Sequence, residues 1–151
     1  MSAAVRPDSW NFPLLLHVLG AMLLVGALIL ATSAFLLTWR GGSAPLARLG
    51  YRAMLLGALA SWILMRVGAE WTASKEGLTD ANLSWLDIGS TTADGGLVLI
   101  IVATVLAGLE ARRASGAAGS GAALGRASAV LVSLLIVAYL VSVWAMTTKP
   151  A

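Results

Sequence analysis

Apolar residues dominate four stretches of the chain, Leu14 to Leu37, Ala53 to Val67, Leu97 to Leu109 and Ala127 to Ala145, each bounded by charges or turn residues. A bilayer core takes about 20 mainly apolar residues per helix, and all four stretches approach that length once their flanks are counted. The pattern predicts an all-α fold, a polytopic membrane protein folded as an antiparallel bundle of four transmembrane helices. The expected helices cover residues 12–39, 47–71, 92–113 and 124–147. Residues 1–151 then form a single integral membrane domain, with an external segment at 72–91 and cytoplasmic linkers at 40–46 and 114–123.

Thr32-Ser33-Ala34 could pass for a signal-peptide cleavage site. The apolar run before it exceeds the roughly 7 to 15 residues of a signal h-region, and it continues through Phe35, Leu36 and Leu37 to Trp39. The first stretch therefore reads as an uncleaved helix.

Composition narrows the class further. Apolar residues make up 59 % of the chain and charged residues 11 %, where soluble domains carry about 25 % charged. That balance leaves room for short loops only. The chain has no Cys, so disulfides, thiolate metal sites and cysteine nucleophiles are excluded. Its net charge of +3 comes from arginines that flank apolar runs and form no basic stripe. Those arginines point to membrane anchoring and away from nucleic acid.

Positive charge stays on the cytoplasmic side of a membrane. Arg40, Arg48 and Arg52 fall in or beside the first connection, and Arg112, Arg113 and Arg126 flank the third, there opposed by Glu110 alone. The second connection holds Lys75 against Glu76, Asp80 and Asp87, with Glu70 and Asp94 at its edges. Connections one and three are thus expected inside, and both termini outside, although Arg6 and Lys149 oppose that orientation. Trp10, Trp71, Trp85 and Trp144 then fall at the outer boundary and Trp39 at the inner one, as interfacial belts require. Gly41-Gly42-Ser43-Ala44-Pro45 reads as a turn, Ser115 to Gly121 as a linker. Thr79 or Asp80 could cap a short surface helix carrying Leu83, Trp85, Leu86 and Ile88.

Helices in lipid associate through small residues that permit close approach. At about 100° per residue, the first helix aligns His17, Gly20, Ala21, Leu24, Ala27, Leu28 and Ala31. The second aligns Ala53, Gly57, Ser61 and Gly68, and the third Gly96, Ala103, Ala107 and Ala111. The fourth offers Ser133, Ala138, Ser142 and Ala145. Arg66 points nearly opposite the Ala53/Gly57/Ser61 stripe, so the two are expected to face different helices.

His17, the single histidine, sits on the small face of the first helix. It is a candidate haem or copper ligand or proton acceptor; the competing reading is an imidazole bonded to a neighbouring helix. Met65, with Met22 and Met146, adds a soft thioether that could join His17 in holding Cu(I) or haem, against ordinary packing. Arg66 lies about 21 Å along the helix from Arg52, with Glu70 four residues on and Trp62 four before. An ion pair and a cation–π contact are both in reach, and snorkelling to headgroups is the alternative. Asp94 opens the third helix as an acid near free amide groups. Tyr139 lies at similar depth in the fourth. His17, Arg66, Glu70, Asp94 and Tyr139 would together make a polar cluster in the outer half, above an almost wholly apolar inner half.

The run Leu16-His17-Val18-Leu19-Gly20-Ala21, with Gly26 following, resembles the first helix of the copper-resistance D-type and related small bacterial membrane proteins. That resemblance implies a four-helix bundle and a copper or haem b role for His17. Bis-histidine haem would then need a dimer supplying His17 twice.

No nucleophile–base set, zinc spacing, P-loop or dinucleotide fingerprint is present. The expected function is non-enzymatic: a bacterial inner-membrane protein, either an accessory subunit of a larger complex or a small-ligand handler. Its partners would be the lipid bilayer, other membrane subunits or a second copy. A haem- or copper-binding protein using His17 and a small transporter or channel acting through Arg66, Glu70 and Asp94 are the alternatives. The bacterial source is inferred from the Ala, Gly, Leu and Arg content.

Overall fold

The computed structural model describes residues 11–41, 44–77, 84–114 and 122–148. Arg6, Trp10, Thr79, Asp80, Leu83, Lys149, the linker Ser115 to Gly121 and the side chains of Trp85 and Met146 lie outside that description. The described residues form helices throughout: α1 (Asn11–Trp39), α2 (Ala44–Glu76), α3 (Ser84–Arg113) and α4 (Ala122–Thr148). All four are long and apolar enough to cross a membrane. Even the 27 residues of α4 extend about 40 Å, beyond the roughly 30 Å of a hydrocarbon core.

Each helix end has a local cause. After α1 the chain turns at Gly41, whose φ of 99° lies in the region open to glycine. Pro45 occupies the first turn of α2, where its missing N–H costs nothing. Gly77 ends α2 in the left-handed conformation (φ 67°) and donates its N–H to the carbonyl of Ala73. Asp87 lies in the first turn of α3, where the helix dipole favours an acid. Helices α2 and α3 therefore run further toward each other than 71 and 92. Leu86 and Ile88 belong to α3 itself, not to a separate surface helix.

Close approach follows the glycines. A Cβ on Gly20 would overlap the backbone of Met65, and one on Gly68 the backbone of His17, so α1 and α2 touch main chain to main chain. Further along the same pair, Gly57 meets Ala27 and Gly50 meets the ring of Phe35. Between α3 and α4, Gly96 receives Tyr139 and Gly125 receives the carboxylate of Glu110. Gly108 of α3 faces the ring of Tyr51 of α2. Small residues are what allow such contacts where burial of apolar area between helices gains little over lipid.

The interior is filled by Leu24, Leu28, Phe35, Met54, Ile100 and Leu135, with Ala31, Ala103, Ala107 and Ala129 between them. Large apolar residues also cover the outside: Met22 and Leu56 are each 69 % exposed, Trp144 65 %. That apolar exterior is far wider than the isolated patches of a water-facing monomer. Ser33, Thr38, Thr104 and Ser133 spend their hydroxyls on the carbonyl four residues back, at 2.7 to 2.9 Å. They need no further partner in apolar surroundings.

One irregularity matters for the site. Residues Ala53–Ala58 of α2 form a wider π-type turn, in which the N–H of Leu59 bonds the carbonyl of Met54. Helices change direction at such turns. Before it α2 lies against both α1 and α3; after it α2 runs along α1 and touches α3 only sparsely. The arginines Arg40, Arg48, Arg52, Arg112, Arg113 and Arg126 gather at one end of the molecule, where Arg126 stacks 5.2 Å from the ring of Trp39. At the other, acidic end, α2 and α3 part.

Candidate functional site

A cavity of about 300 Å³ opens at the acidic end, between the second half of α2 and its neighbours. His17, Met65, Arg66, Glu70 and Tyr139 all line it, and Asp94 reaches its edge through Arg66. Four helices supply these residues.

His17 sits where α1 crosses α2, beside Gly68. Its Nδ1 lies 3.0 Å from the carbonyl oxygen of Met65. A carbonyl only accepts, so Nδ1 carries the hydrogen. The carbonyl of Met65 is thus one of the few helix carbonyls that accepts a bond from another helix. Met65 itself is buried and its side chain also lines the cavity.

Arg66 is the next residue along, but it turns toward α3. One of its terminal nitrogens, Nη2, is 3.0 Å from Oε1 of Glu70 and 3.3 Å from Oδ1 of Asp94. Gly57 and Gly68 meet α1, whereas Arg66 meets α3, so stripe and arginine serve different neighbours. Asp94 does not stand at a helix start. Because α3 begins at Ser84, Asp94 lies almost three turns inside it, and its charge is met by the guanidinium and not by free amides. The side chains of Glu70 and Asp94 are 60 % and 62 % exposed, which makes this a screened rim cluster.

Trp62, one turn before Arg66, donates its indole N–H to the carbonyl of Ala93 at 2.8 Å. This bond and the Arg66–Asp94 pair bridge the gap between α2 and α3. Tyr139 is 5 % exposed and rests on Gly96, with its hydroxyl buried beside the side chain of Trp62.

Sequence reasoning missed Glu110, which it used only as a counterweight in the charge tally. Its side chain is 1 % exposed and lies against Gly125 in the first turn of α4, with Oε2 unpaired. Position near an arginine-rich linker gave no sign of that burial. Among the described residues no group of three or more His, Cys, Asp or Glu is placed to hold a metal ion.

Fold and cavity together define a class: four long apolar helices around a one-sided hollow that is apolar on most of its wall and charged at its rim. No protein-family model, curated protein or solved structure matches this chain.

Proposed function

We propose that this chain is a bacterial inner-membrane protein that holds a small ligand, alone or as an accessory subunit of a larger complex, without catalysing a reaction. In this reading the helices form an antiparallel bundle, the arginine-rich end is cytoplasmic, and the termini and cavity face outward. The span lengths, the apolar exterior and the arginine distribution support it. The observation that carries the ligand role is the cavity itself, apolar over most of its wall and charged at its rim. Its volume stands at the lower end of the about 300 to 1,000 Å³ usual for small-molecule sites, which favours a compact occupant. The test is binding of compact amphipathic molecules to the protein in lipid nanodiscs, repeated on Ala69→Phe, which fills the cavity. Binding by the wild type and its loss in the variant are expected; equal binding by both, or none by either, overturns the proposal.

A second reading keeps Cu(I) or haem b at His17. It is supported by the hold on His17, since a histidine whose Nδ1–H is held by a carbonyl is oriented as metal-ligating histidines are, and by Met65 in the same wall. The compact cavity favours copper over a porphyrin. Metal analysis and a visible spectrum on wild type and His17→Ala decide it: no copper and no Soret band would remove it.

A further inference from the structure

We infer that a groove on the outer faces of α1 and α4 binds an anionic phospholipid, with an acyl chain along its floor and the phosphate at its arginine-rich end. This site rests on the bilayer reading above and is independent of the cavity at the other end of the molecule. Leu36 and Trp39 of α1 and Ala129, Val130, Leu134 and Val137 of α4 line the groove. The hydroxyl of Ser133 in the same wall is already bonded to the carbonyl of Ala129. The wall is thus almost wholly hydrocarbon and suits a chain better than a polar ligand.

Its length and its charged end select the occupant. Arg126 precedes Ala129 and Val130 by three and four residues, so it heads the same stripe of α4. From Arg126 to Val137 the helix rises about 16 Å, close to half of the roughly 30 Å hydrocarbon core. The groove therefore spans one leaflet, with its cation where headgroups lie. Trp39 joins the two parts: its side chain lines the groove, and the guanidinium of Arg126 lies 5.2 Å from its ring. Stacking engages the face of the guanidinium and leaves the in-plane N–H fork to meet a phosphate. Arg40, the next residue of α1, is exposed at the same end. The one acid there among the described residues, Glu110, is buried against Gly125 between α3 and α4. An anionic headgroup is favoured at such a place over a zwitterionic one, whose own cation the arginines repel.

The experiment is native mass spectrometry of the detergent-solubilised protein, titrated with phosphatidylglycerol and with phosphatidylcholine of identical acyl chains. Phosphatidylglycerol is expected to bind at least about fivefold more tightly, the effect of one arginine at a headgroup. Arg126→Gln should reduce that preference to about twofold or less, and Val130→Trp, which fills the groove, should weaken both lipids. Arg112→Gln/Arg113→Gln, at the same end but on α3, should leave the preference in place. Equal affinity for the two lipids overturns the proposal. So does binding that Val130→Trp leaves unchanged, or a preference that Arg126→Gln leaves intact or the α3 variant removes to the same extent. These outcomes leave the bilayer reading standing, whereas a protein that stays folded and dispersed without any amphiphile overturns that reading as well. Arg126 and Val130 are both exposed, so their variants are expected to fold; should Arg126→Gln fail to, Arg40→Gln carries the same test.

Discussion

Nδ1 of His17 on α1 lies 3.0 Å from the carbonyl oxygen of Met65 on α2, one turn from the place where Gly68 brings the two backbones into contact. The bond is short because the glycine is there. Any side chain at position 68 would push the helix of His17 away.

Loss of this bond should be measurable but modest. Interhelical hydrogen bonds in membrane proteins average about 0.6 kcal/mol, with a maximum near 1.7. His17→Phe, which retains a ring, is expected to destabilise the protein within that range in detergent or denaturant titration. A cost well above it would mean that the ring does more than bond the carbonyl.

Glycine substitutions should split into two groups. At Gly20 and Gly68 a Cβ meets backbone, so alanine there forces α1 and α2 apart and is expected to cost about 1 to 3 kcal/mol. At Gly26 and Gly95 nothing lies within 4 Å, and alanine should be neutral or stabilising by up to about 1 kcal/mol. Thermal unfolding of the four single variants gives the comparison.

Tyr139→Phe removes a buried hydroxyl that lies beside Trp62 and against Gly96. It is expected to lower stability by about 0.5 to 1.5 kcal/mol, read from the thermal unfolding midpoint.

The Arg66 cluster should matter little for stability. Its carboxylates are mostly exposed, so a double-mutant cycle on Arg66 and Asp94 is expected to give a coupling of at most about 1 kcal/mol, declining with salt.

Glu110→Gln should be neutral or mildly stabilising, because a buried acid with an unpaired oxygen becomes an amide of the same shape. Glu110→Ala should cost more, through the space it vacates against Gly125. Both are read from the unfolding midpoint at neutral pH.

Much of the architecture was legible because lipid-length apolar runs leave few alternatives. The four runs became four helices long enough to cross a membrane, and Gly57, Gly68 and Gly96 mark close contacts between helices. The helix ends were less legible. The sequence from Thr72 to Thr92 is polar enough to read as a loop, yet its two ends continue α2 and α3 under the control of a glycine cap and an N-terminal acid. This extension moved Asp94 from a helix start to the middle of a helix. Arg66, Glu70 and Asp94 could be grouped by depth, but their meeting depends on helix rotation, which tertiary packing sets. The π-type turn at Ala53–Ala58 has no signature in a run of Ala, Met, Leu and Gly. The burial of Glu110 was equally silent.

The sparse contact between the second half of α2 and α3 leaves a sideways slit, laced by Trp62 to Ala93 and by Arg66 to Asp94. In a bilayer such a slit opens onto acyl chains and headgroups. For a guest of the kind proposed, the slit would be a second entrance from within the leaflet, beside the outward mouth of the cavity, and its use would grow with how strongly the guest partitions into lipid.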